Sequence, residues 1–276
     1  MKRLVTPVLI CICFSCCLQA QTDSGQTKPQ FKVSVNYNSN LNYYGRTDSL
    51  KSSGVFPLAE LWFKNFYVNA APVFVNNITS SFDYAGTVAT AGYMSVSDDK
   101  KWFSNFYVVK PFYESNSQLV QSALKLQGAF SITYLNKLIN ITGGADVKIS
   151  DKTDFGITAG VDHVFRKQFA DNSVLVIDPS AFLYAGTQQF TSTYYKRNSF
   201  VPVPISGQTV SEEVKKLNIL SFEFSMPVIF TKKKFQLLFS PAYVIPQNLI
   251  TVQGHPDLSE RGQEMFYVTI GAKIIL

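Results

Sequence analysis

The chain has 276 residues, 46% hydrophobic and 16% charged, with a formal net charge of +6 and a mean hydropathy of +0.05. All four cysteines (Cys11, Cys13, Cys16, Cys17) lie near the start, so the rest of the chain has neither a disulfide framework nor a cysteine metal site. The basic residues are scattered, which excludes a nucleic-acid footprint, and past residue 20 no apolar run is long enough for a transmembrane helix.

In chain order, Met1-Lys2-Arg3 is a short basic start, Leu4 to Leu18 is apolar, and Leu18-Gln19-Ala20 precedes Gln21. That order predicts a secretory signal over residues 1–20, cleaved after Ala20. Residues 21–29 follow as a short N-terminal segment, and residues 30–276 read as one β-barrel domain. The rival is lipoprotein processing at Cys16 or Cys17, but neither has the aliphatic residue usual three positions upstream. Loss of Lys2 and Arg3 leaves 23 basic against 19 acidic residues, a mild +4.

The domain alternates with period two, the pattern of strands with one apolar and one polar face. Phe31, Val33, Val35 and Tyr37 alternate with Lys32, Ser34, Asn36 and Asn38. The stretches Gly86 to Val96 and Trp102 to Tyr113 are less regular, and Leu119 to Tyr134 is regular again. In Leu138 to Ile149, the residues Ile139, Ile141, Ala145, Val147 and Ile149 oppose Asn140, Thr142, Asp146 and Lys148. Thr153 to Phe165 and Leu217 to Phe230 alternate likewise. From Met265 to Leu276 the alternation runs to the terminal residue. Pro57, Pro72, Pro111, Pro179, Pro227 and Pro241 each remove a ladder donor, so bulges or strand ends are expected there.

These segments predict an all-β fold: a transmembrane antiparallel up-and-down β-barrel of about 12 strands (10–14), an even number as single-chain bacterial barrels require. With a periplasmic N-terminus, the turns at Lys64-Asn65, Ser97 to Lys101, Leu135 to Lys137, Lys167 to Asn172 and Thr231 to Lys233 fall on the periplasmic side. The longer loops, Gly45 to Gly54, Asn76 to Ala85, Thr191 to Lys216 and Gln253 to Gln263, fall outside. Aromatics at the strand ends predict two interfacial belts: Trp62, Phe63, Phe66, Tyr67, Trp102 and Phe103 among the periplasmic ones, and Tyr43, Tyr44, Phe56, Tyr113, Phe155 and Phe266 among the outer ones. The polar faces carry Ser, Thr, Asn, Gln and Gly with few charges, which favours a membrane barrel over a soluble sandwich.

The Ala20-Gln21 junction, the even strand count and the final strand together resemble outer-membrane β-barrel proteins, particularly those of the Bacteroidota, over essentially the whole mature chain. The resemblance implies outer-membrane lipid as the surroundings and folding by the barrel-assembly machinery, which reads a last strand of alternating apolar residues ending in an aromatic. Phe266, Val268, Ile270, Ala272, Ile274 and Leu276 would form that assembly signal, with Leu276 in place of the aromatic. It implies no particular activity.

Strand parity directs Lys32, Glu60, Lys125, Asp146, Lys148, Asp154, Asp162, Glu223 and Lys273 inward. Such a mixed lining sets a transverse field for small solutes, or the charges pair and pack the lumen shut. His163 sits on the apolar parity near the periplasmic end, where a lipid hydrolase would need a serine beside it; a boundary histidine snorkelling to headgroups is the plainer reading. His255, Asp257 and Glu260 share one polar loop, which raises and does not require a cation site. The Thr191 to Lys216 loop, with Val201-Pro202-Val203-Pro204, reads as a lid, a surface contact or ordinary loop variation. Gly143, Gly144, Gly156 and Gly160 have no following helix and read as strand curvature or close approach, not a nucleotide loop. No cofactor, catalytic residue or metal ligand is assigned. The sequence reads as an outer-membrane barrel, a passive or gated pore for small solutes; the alternatives are a structural or surface-interaction barrel with a packed lumen and, behind it, a membrane-embedded lipid hydrolase or acyltransferase.

Overall fold

The computed structural model describes residues 28–48, 50–79, 81–114, 117, 119–189, 215–251 and 259–276. The signal reading and the loop over residues 191–214 lie outside these. Twelve strands, numbered in chain order, form the wall. They are β1 (Gln30–Asn38), β2 (Ser53–Phe63), β3 (Phe66–Asn76), β4 (Asp83–Val96), β5 (Trp102–Tyr113) and β6 (Leu126–Tyr134). They continue as β7 (Asn140–Ile149), β8 (Thr153–Asp162, resumed at Phe165–Gln168), β9 (Val174–Ile177 and Ser180–Gly186), β10 (Asn218–Ser225 and Val228–Lys232), β11 (Phe235–Pro246) and β12 (Met265–Ile275). Each pairs antiparallel with the next, and β12 returns to β1 from Lys32↔Ile275 to Asn38↔Thr269. The sheet has no free edge, as a wall in lipid requires.

Polarity is inverted relative to a soluble protein. On β1, Lys32, Ser34, Asn36 and Asn38 are buried while Phe31, Val35 and Tyr37 are exposed. On β12, Phe266, Ile270, Ala272 and Ile274 are exposed around buried Tyr267, Thr269 and Lys273, with Val268 half-buried on the outward side. An exposed apolar belt around a closed wall is the surface of a membrane-spanning barrel. Short turns at 64–65, 97–101, 135–139, 169–173 and 233–234 mark one end; the longer connections mark the other, together with one three-residue turn at 150–152.

The prolines act in three ways. Pro57 and Pro72 face one another across β2 and β3, and the ladder is interrupted at 56–58 while its register stays unchanged on both sides. Pro111 and Pro241 sit within continuous strands, paired with Val88 and Val268. Pro179 and Pro227 break β9 and β10 beside the break in β8 at residues 163–164. One hydrogen bond bridges each step of this line: His163 N–H to Pro179 O, Asp178 N–H to Pro227 O and Met226 N–H to Pro241 O.

The less regular stretch from residue 83 to 113 does form two strands, the first, β4, with a bulge opposite Val73 and Phe74 made at Gly86 (φ +145°). A Cβ there would meet Phe112 O at 2.4 Å. Two expectations are corrected. Residues 119–125 do not extend β6: Val120–Ala123 is a 3₁₀ turn, and Leu119, Ala123 and Leu124 are buried. The aromatic belts are also incomplete, because Trp62, Tyr67, Phe103, Tyr43, Tyr44 and Phe56 are buried inside. Position at a strand end misleads where strand parity does not: Phe56 and Trp62 share the inward face of Glu60, Tyr67 that of Asn69 and Phe103 that of Asn105. Phe56, Leu58, Tyr67, Val73, Met94, Phe103 and Val109 form an apolar cluster within the barrel.

Candidate functional site: the barrel interior

The interior has three regions, each set by strand register. Near the short-turn end, Lys32 on β1 is paired in register with Glu60 on β2, and both are almost fully buried. Lys273 on β12 reaches across β1 to place its ammonium 2.7 Å from Glu60 Oε1. The Trp62 indole N–H donates to Glu60 Oε2 at 3.1 Å, and the Lys32 ammonium lies 4.4 Å from the Trp62 ring centroid. Trp62 stacks on Tyr67 at 4.7 Å. The carboxylate thus lies between donors in a site closed to water, where charge-assisted bonds are strongest.

The second region is the inner face of β6, β7 and β8. Ser131, Thr133, Thr142, Gly144 and Thr158 are half-buried. Thr133 and Thr142 share a hydroxyl hydrogen bond of 2.8 Å. Asn140 Nδ2 donates to Asp162 Oδ2 at 2.6 Å. The Phe182 ring lies over Gly160, where a Cβ would come 2.1 Å from ring carbon Cδ1; this is the close approach that a wall glycine permits. The result is a vestibule of small hydroxyl-bearing side chains with an aromatic wall.

The third region fills the long-loop end. The first long connection does not project outwards but folds in as a two-rung hairpin, Asn42–Tyr43 against Arg46–Thr47. Its turn places Tyr44 at φ 50° and Gly45 at φ 78°, the left-handed pair that a tight hairpin needs. Leu41, Tyr43, Tyr44, Arg46, Thr47 and Asp48 are all buried. Tyr44 packs on Tyr184 of β9 at 4.9 Å, in one cluster with Tyr43, Ala123, Leu124 and Leu220. Below it, Lys148 is ion-paired with Asp146, and its ammonium lies 5.9 Å from the Tyr44 ring. Asp154 accepts from the Thr187 hydroxyl and the Gln189 amide. Burial pushes the Tyr43 hydroxyl well above its ordinary value.

Arg46 has no exposed surface. Its Nε donates to Glu260 Oε2 at 2.8 Å. Nη1 donates to the carbonyls of Tyr44 and Leu220, each at 3.1 Å. Nη2 donates to Gln188 Oε1 (3.1 Å) and to the carbonyls of Gln247 (3.0 Å) and Asn248 (3.4 Å). Parity reasoning on wall strands passed over Arg46 because it lies in a connection. The available signal was Tyr44-Gly45 between strand-forming residues, a hairpin cue.

Of the nine inward candidates, Lys32, Glu60, Lys148, Asp154, Glu223 and Lys273 are buried within the barrel and Asp146 and Asp162 are half-buried. Lys125 differs. It lies one residue before β6 with an exposed side chain and pairs with Asp151 at 2.8 Å on the long-loop rim, because the 3₁₀ turn ahead of it shifts the strand start. His163 sits in the β8 break, where Nδ1 donates to Leu138 O at 2.5 Å and the ring meets Phe165 edge-on at 4.3 Å. His255 and Asp257 lie outside the described residues, and Glu260 serves Arg46. Among the described residues, no group of three His, Cys, Asp or Glu side chains is placed to hold a metal ion.

Among solved structures, the chain is similar to LpxR from Salmonella typhimurium, with a TM-score of 0.50 and 8% identity over 88% of this chain and 99% of that one. The KdgM porin aligns with a TM-score of 0.48 and 7% identity over 88% of this chain and 98% of that one. The COG4313 outer membrane channel from Pseudomonas putida F1 aligns with a TM-score of 0.48 and 11% identity over 92% of this chain and all of that one. At such identities the likeness is one of fold. No protein-family model and no curated protein matches the sequence.

Proposed function

We propose that this closed twelve-stranded barrel is a gated outer-membrane pore for small polar solutes, with its outer mouth stoppered in the present structure. The observation that carries this reading is the vestibule of Ser131, Thr133, Thr142 and Thr158, a half-buried hydroxyl-lined inner face beneath a mouth filled by the inward hairpin packed on wall residues such as Tyr184 and Leu220. The buried Lys32, Glu60, Lys148, Asp154, Glu223 and Lys273, with half-buried Asp146 and Asp162, carry both signs, so solutes without strong net charge suit the path best. On this reading the short-turn end faces the periplasm. Residues 1–20 direct export, and the outward row Phe266, Val268, Ile270, Ala272, Ile274 and Leu276 presents the last strand to the assembly machinery.

The apolar cluster of Phe56, Leu58, Tyr67, Val73, Met94 and Phe103 favours a second reading, a structural barrel with a permanently packed lumen. Planar-bilayer conductance of the refolded chain, with gel heat-modifiability checked on the same sample, separates the two. Discrete current steps, rare in the intact chain, are expected for the pore. A heat-modifiable barrel that stays silent at every voltage, with the hairpin intact or deleted, would leave only the packed barrel.

A further inference from the structure

The outer stopper is held mainly through one side chain. Five of the six groups that accept from Arg46 lie outside its hairpin: Leu220 on β10, Gln188 just past β9, Gln247 and Asn248 just past β11, and Glu260 before β12. Together they make a cup of carbonyl and side-chain oxygens closed by one carboxylate. Glu260 is itself built into the cup, since its Oε2 also accepts from the Ile250 amide at 3.1 Å and its backbone N–H donates to Ile250 O at 2.8 Å. The segment carrying Glu260 pairs with the hairpin by an Arg46↔Gly262 bridge and by Thr47 N–H to Arg261 O at 2.8 Å. Hairpin and cup therefore engage or part as one unit.

We propose that Arg46 is the latch of a gate: the hairpin of residues 42–48 is a stopper seated in the outer mouth, and release of the guanidinium from the Glu260 cup opens the path to the hydroxyl-lined vestibule. The seat suits a reversible closure. The groups around the guanidinium are polar and regain water when the hairpin leaves. The apolar contact given up is the patch of Tyr43 and Tyr44 on Tyr184, Ala123, Leu124 and Leu220; the larger apolar cluster on β2 to β5 lies outside the seat. The base of the loop is already tied by Leu41 N–H to Ser52 O at 2.6 Å, so residues 42–48 can leave without unzipping β1 or β2. This inference rests on the pore reading and adds its regulation.

The test compares bilayer conductance of the refolded intact chain with Arg46→Ala, Arg46→Lys, Glu260→Gln and a variant whose residues 42–47 are replaced by glycine and serine, heat-modifiability being recorded for each. The intact chain should open rarely. Arg46→Ala should raise open occupancy about tenfold or more, since removing one partner of a buried pair biases a two-state element strongly. Arg46→Lys and Glu260→Gln should fall between. If the hairpin replacement conducts while all three latch variants behave as the intact chain, the latch is wrong and the pore stands. If the hairpin replacement is folded and silent, the pore reading fails and the gate with it. Should Arg46→Ala not fold, Arg46→Lys and Glu260→Gln decide: both must open more often than the intact chain.

Discussion

Lys273 and Glu60 show how single residues hold this barrel shut along its seam. The ion pair crosses β1, joining the last strand to the second, and Trp62 and Lys32 complete the cluster. Desolvation makes such a pair a weak source of net stability, yet removing one member strands the other. Lys273→Met is therefore expected to lower the unfolding free energy in lipid by about 3 kcal/mol, read as a drop in the urea midpoint of heat-modifiability. Adding Glu60→Gln should restore part of that loss. If the double variant is no better than the single, the cost lies in packing and not in the orphaned carboxylate.

Among the elements, the inward hairpin depends on its turn as much as on Arg46. Gly45 adopts φ 78°, and a Cβ there would come 2.6 Å from Pro246 Cβ. Gly45→Val therefore combines a disfavoured backbone conformation with a clash against the wall, and should unseat the hairpin while leaving the barrel heat-modifiable. The expected readout is more frequent openings than in the intact chain; unchanged openings would mean the turn tolerates the side chain and does not set the seat. The strand breaks are a different kind of element-scale feature. Three neighbouring strands break side by side, each step bridged by a bond to a proline carbonyl, so the amides of His163, Asp178 and Met226 stay paired across the breaks.

For the whole molecule, the decisive property is the inverted distribution of polarity. Ile270 is half exposed at the middle of β12, and Thr142 faces the vestibule. Ile270→Arg should destabilise the barrel in bilayers by about 2–4 kcal/mol, the usual cost of a cation near the midplane of the lipid face. Thr142→Lys should cost no more than about 1 kcal/mol, a lost hydrogen bond. Equal costs in denaturant titrations would show that the two faces are not solvated differently. Among the described residues no helix is long and apolar enough to cross a membrane, and a barrel crosses with its strands.

Strand number, wall polarity and the inward setting of Lys32, Glu60 and Lys273 could be read from the sequence, because a two-residue period ties each side chain's direction to its neighbour's. Belt assignment failed because it used position at strand ends and not parity: Trp62 shares the inward face of Glu60 and Tyr67 that of Asn69, and in connections there is no period at all. Only the tertiary structure decided that Arg46 is buried, that residues 119–124 pack inside, and that Lys125 ends on the rim. Those outcomes depend on which distant backbone carbonyls and carboxylates meet once the barrel has closed, and that is a matter of closure geometry, which local alternation does not encode.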